Sequence, residues 1–169
     1  ERLVPISRTA DCALISAGGH PYDRTFYESH KAINNAVRAI KDNGSVILVA
    51  QCGEGIGNEK FFDYLTTHRV DELLDMPEER IELGGHRAFV TAQLVKKHTV
   101  YVLSDLEPRV VSQMHCIPIT RIEEGLAQRT REYGVACSIY VIPESRTLLP
   151  SLHGKGTEYV SRTVHEVHE

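Results

Sequence analysis

The sequence predicts an α/β fold, Rossmann-like, with a mostly parallel sheet and helices on both faces. Two observations predict it. Short apolar runs rich in β-branched residues alternate with stretches of helical periodicity, and the runs end at glycine or proline. Strands separated by helices pair in parallel through right-handed crossovers, which places helices over the sheet.

The elements follow in order. The apolar run over 11–16 is ended by Ala17-Gly18-Gly19 and predicts a buried strand. A helix is expected over 25–41, where Phe26, Ile33, Val37 and Ile40 fall on one face of a 3.6-residue period. Asp42-Asn43-Gly44 is expected to stop it before a second strand over 45–51. The loop 52–58 leads into a helix over 59–67. The stretch 70–85 is irregular, broken by Pro77 and Gly84-Gly85. A helix over 86–97, a strand over 99–106, a short helix over 107–114 and a brief strand over 116–120 follow. A charged helix over 121–133 closes at Gly134, and a last strand over 135–142 ends at Pro143. Residues 1–150 read as one α/β domain. The tail 151–169 carries no packing signal and is expected to be extended or disordered.

Composition narrows the function. A length of 169 residues, 41% hydrophobic and 25% charged, is one globular domain and not a disordered chain. The net charge of −4 gives no electrostatic footprint for nucleic acid. The apolar run 45–50 is far shorter than the ~20 residues that cross a bilayer, so no membrane partner is expected. Cys12, Cys52, Cys116 and Cys137 form no C-x-x-C pair and read as reduced core residues, which implies a cytoplasmic location. The start at Glu1, not Met, suggests a piece of something longer.

In open parallel sheets, ligands bind on loops beyond the carboxyl ends of the strands. Two such loops are glycine-rich: 16–23, with Gly18, Gly19 and His20, and 51–58, with Gly53, Gly55 and Gly57. Each is either a tight strand-to-helix turn or a cradle in which helix N–H groups meet an anion. The second falls one position short of the dinucleotide fingerprint, and no Walker sequence or G-x-S-x-G elbow is present. Tyr27 and Lys31 lie four apart, on a helix face offset from the core face. Lys31 is thereby placed to neutralise a carboxylate or phosphate held at the loop. Glu28 completes a capping box with Thr25 or points to a ligand. Nine histidines raise metal binding. They are scattered without zinc-site spacing, so surface positions are the default, and among them His20, in its loop, is the one singled out.

The run 16–23, followed by Tyr27-x-x-x-Lys31, Asn35-Ala36 and the stretch 45–57, resembles the C-terminal domain of the nickel-dependent lactate racemase family. The likeness extends over about 10–150 and is specific over 16–57. It implies two α/β domains with the active site between them and interconversion of 2-hydroxy-acid stereoisomers. It also implies a nickel-pincer nucleotide that accepts a hydride from C2 and returns it. By the same resemblance, the N-terminal domain of the same chain carries the acid/base histidines, the metal ligand and most of the cofactor contacts. That domain is expected to be absent here, which leaves no catalytic residue and no metal ligand in this segment and makes it inactive alone. Lys31 matches the family lysine that contacts the substrate carboxylate, and Tyr27 the tyrosine beside it. Glu28 stands where lactate-specific members have glutamine, which points to another, polyhydroxylated 2-hydroxy acid. A stand-alone nucleotide- or phosphate-binding module and a non-catalytic relative remain open.

Overall fold

The computed structural model describes residues 2–82, 84–133, 137–152 and 165–167. The chain opens with β1 (Arg2–Ile6) and β2 (Ala10–Ser16), then α1 (Phe26–Ala36), a 3-10 turn over Val37–Ala39 and β3 (Ile40–Val49). Next come α2 (Glu59–Thr67), α3 (Val70–Leu74), a second 3-10 turn over Glu78–Arg80 and α4 (Gly85–Lys97). The remainder runs β4 (Thr99–Leu103), α5 (Pro108–Gln113), β5 (Ile117–Pro118), α6 (Ile122–Tyr133), β6 (Ile139–Ile142), β7 (Leu148–Leu152) and β8 (His165–Val167).

The fold is α/β with a mostly parallel sheet. Six strands pair in the order β5-β4-β3-β2-β6-β8, and each pair is parallel except β6 with β8. From β2 the chain moves outward to β3, β4 and β5, then returns to the other flank of β2 with β6. The order therefore reverses beside β2.

Side-chain alternation along the strands feeds two unequal cores. Ala13, Ile15, Val46, Leu48, Val100 and Val102 pack with Phe26, Phe61, Leu73, Ala88 and Val111, so α1 to α5 cover one face. Cys12, Ile47 and Tyr101 pack with Leu126, so α6 covers the other. Gly125 on α6 lets that helix approach closely, because a Cβ there would sit 2.9 Å from Ile47 Cδ1.

Several expectations change. The helix expected to reach residue 41 ends at Ala36, and Ile40 is already extended and paired with Ala10. Asp42-Asn43-Gly44 then forms an irregularity inside β3, because the register passes from Ala10/Ile40 to Cys12/Ser45, with Asn43 at φ 61°. A separate parallel pair joins β1 to β7, with Leu3 opposite Leu149. In the irregular stretch, 70–74 is helical, and a Cβ on Gly85 would meet the Tyr64 ring at 2.8 Å. Of the expected strand 135–142, residues 135 and 136 lie outside the described residues, as does Gly134. Of the tail, Ser151 and Leu152 complete β7 and 165–167 form β8; the rest lies outside the described residues.

No helix among the described residues is long and apolar enough to cross a membrane. The four cysteines are free thiols; Cys12, Cys52 and Cys116 are buried, which pushes the first two up to about 11 and the third to about 12.

Candidate functional site

The two glycine loops fold against each other at the carboxyl ends of β2 and β3. Cys52 N donates to Asp23 O at 2.7 Å and Glu54 N to Arg24 O at 2.8 Å. The second loop then covers the start of α1. Phe26 N donates to Gly55 O and Tyr27 N to Ile56 O, at 3.1 and 2.9 Å, while Glu28 N donates to Thr25 Oγ1 at 3.2 Å. The α1 amides expected to meet an anion are therefore taken by protein acceptors. Gly55 and Gly57 hold φ of 82° and 86°, and a Cβ on Gly57 would overlap the Thr25 side chain. In the first loop, Gly18 and Gly19 also have positive φ, and Gly19 O accepts from Tyr22 N at 2.8 Å. His20 is exposed and joined to Pro21 by a cis bond; Gly53 is exposed.

Tyr27 and Lys31 come together on a cavity of about 340 Å³ between α1 and the start of α4, shared with His30, Asn34, His86 and Arg87. Both helices begin at the carboxyl edge of the sheet. None of Gly18, Gly19, His20, Gly53, Gly55, Gly57 or Glu28 lines this cavity.

Tyr27 is held from two sides. The Arg87 guanidinium lies 3.8 Å from its ring centroid and donates through Nη1 to Tyr27 O, while Phe61 meets the ring edge-on at 5.5 Å. Below them, Thr91 Oγ1 donates to Arg87 O at 2.8 Å and so accepts from His30 Nε2 at 2.9 Å. Burial, reinforced by the charge of Arg87, pushes His30 down to about 3, so its ring is neutral. His30 is not the surface histidine expected. Its place four residues after Phe26 and three before Ile33 puts it on the core side of α1, a signal present in the sequence.

Glu28 is bonded to Arg146. Arg146 Nη1 donates to Glu28 Oε2 at 2.8 Å and to Glu28 O at 2.6 Å, and its guanidinium lies 4.8 Å from the Tyr22 ring centroid. Only the Thr25 half of the capping box forms. This pair sits between the loops after β2 and β6, where the strand order reverses.

Arg87 was missed because no local signal ties residue 87 to residue 27; the contact exists only once α4 packs beside α1. Among the described residues, no three His, Cys, Asp or Glu side chains converge to hold a metal.

Three comparisons with known proteins agree. The family profile "Lactate racemase C-terminal domain" matches residues 6–149. A lactate racemase of Lactiplantibacillus plantarum is 26% identical over 140 residues, covering 79% of this chain and 33% of the relative. A lactate racemase of Thermoanaerobacterium thermosaccharolyticum is 24% identical over 149 residues, covering 85% and 35%. The solved structure of the lactate racemase apoprotein from Thermoanaerobacterium thermosaccharolyticum superposes with a TM-score of 0.78 at 24% identity, over 86% of this chain and 36% of that one. The chain thus spans about a third of the length of these relatives.

Proposed function

Because the chain belongs to the lactate racemase C-terminal domain family, we propose that it is the substrate-side part of a 2-hydroxy-acid racemase or epimerase. The observation that carries the proposal is that Tyr27 and Lys31 open on one cavity at the carboxyl edge of the sheet. A carboxylate entering it meets the Lys31 ammonium, and the Tyr27 ring is fixed beside it by Arg87.

Lys31 orients the substrate by its carboxylate, and fixed orientation is worth most when the reacting groups stand on another body. We assign attachment of the nickel-pincer nucleotide to the remainder of the racemase. The groups that move the C2 proton and hydride are assigned there too. On this reading the chain alone is inactive, and the protein acts in the cytoplasm on a small-molecule 2-hydroxy acid.

The test is Lys31→Ala in the full-length protein that contains this chain. Loss of a charge-assisted hydrogen bond, worth about 2–3 kcal/mol, should raise KM roughly 30- to 100-fold. An unchanged kcat/KM would sink the assignment.

A further inference from the structure

Polar rungs join α1 to α4 across the cavity. One is Arg87 on Tyr27, with the guanidinium 3.8 Å from the ring centroid and Nη1 donating to Tyr27 O. Another, one turn further along both helices, is His30 Nε2 donating to Thr91 Oγ1 at 2.9 Å. The same Thr91 hydroxyl donates to Arg87 O at 2.8 Å. The second rung therefore ends on the backbone of the residue that makes the first. A hydroxyl has one proton, and here it goes to Arg87 O, so residue 30 must be a donor.

The second rung is buried, with His30 3% and Thr91 2% exposed. Phe61 meets the His30 ring edge-on at 6.2 Å, and the buried residues of α4 near Thr91 are Ala88, Ala92 and Leu94. Burying a polar pair in such surroundings is costly, and an apolar pair of the same shape would serve stability as well. What the pair adds is direction. Apolar contacts are non-directional, and small alanine side chains leave one helix free to advance along another. A cavity of about 340 Å³ between α1 and α4 leaves their offset still less constrained by packing.

We infer that His30 and Thr91 are positioning residues. Their hydrogen bond sets the height of α4 against α1 and so holds Arg87 over Tyr27, giving the cavity its shape. That this shape serves a substrate rests on the proposed function.

The test follows the guanidinium protons of the full-length protein by NMR with isotope-labelled arginine. Arg87→Lys assigns the Arg87 Nε–H signal, which the Tyr27 ring should displace upfield; Tyr27→Leu should return it to the ordinary position. Thr91→Val and His30→Leu should each do the same, whereas Thr91→Ser and His30→Gln keep the bond and the displacement. Combining His30→Leu with Thr91→Val leaves no buried group unpaired, so urea stability should recover while the signal does not. In racemisation assays with 2-hydroxypropanoate, this double variant should raise KM about 3- to 10-fold with kcat held. If it fails to fold, Thr91→Val against Thr91→Ser gives the same reading.

An undisplaced signal in wild type overturns the inference, as does a signal still displaced once the bond is removed. Signal changes as stated, with no interconversion of enantiomers even by wild type, keep the positioning pair and overturn the racemase. Racemisation that depends on Lys31 but ignores loss of the His30–Thr91 bond, with the signal unmoved, keeps the racemase and overturns the positioning pair.

Discussion

A carboxylate one residue from Tyr27 would weaken any anion's attraction to Lys31, and the bond from Arg146 to Glu28 at 2.8 Å offsets that effect. Arg146→Leu should therefore raise KM for an anionic substrate about 3- to 10-fold, and adding Glu28→Gln should restore most of it. Kinetics of the two variants check this; no recovery in the double variant contradicts it. His30 sets a second expectation. Its folded value of about 3 lies below the ordinary 6.5. The unfolded chain binds the extra proton between those values, so stability is full above pH 6.5 and falls as pH drops towards 3. His30→Gln keeps a donor for Thr91 and removes the titration. It should flatten the dependence of the urea midpoint on pH across that window; an unchanged slope excludes His30 as the cause. Tyr27 and Lys31 were legible in the sequence because a four-residue spacing fixes their common helix face. Arg87 was not, since its place depends on how α4 packs sixty residues later.

Element boundaries show the same division between local and distant causes. The bounds 59–67 of α2 match the expectation, because Asn58 Oδ1 accepts from Phe61 N at 2.8 Å and that cap is a local signal. Helix α1 is shorter than expected. The Asp42-Asn43-Gly44 signal marks an irregularity in β3, a feature that depends on pairing with β2. Strands β1 and β7 carry Pro5 and Pro150 and pair across nearly the whole chain, so neither announces itself locally. The close seating of the second glycine loop on α1 predicts that Gly57→Ala is costly. Positive φ and overlap with Thr25 together should cost about 2 kcal/mol or more. Thr25→Ala, which loses only the cap, should cost about 1 kcal/mol. Urea unfolding orders the two, and an equal or inverted order contradicts the packing described.

At the scale of the whole molecule, the described residues place a cavity shared by Tyr27, Lys31 and Arg87 on the carboxyl side of a parallel sheet. The chain matches about a third of two lactate racemases. On the proposed reading, orientation of substrate belongs to this part and bond-breaking to the remainder. The most direct test starts from a single enantiomer of a 2-hydroxy acid and follows its optical composition by chiral chromatography. Wild-type full-length protein, Lys31→Ala protein and this chain alone are compared. The account predicts approach to the equilibrium mixture with wild type, roughly 30- to 100-fold slower approach with Lys31→Ala at low substrate, and none with the chain alone. A wild-type protein that leaves the enantiomer unchanged, or a Lys31→Ala variant as fast as wild type, contradicts it.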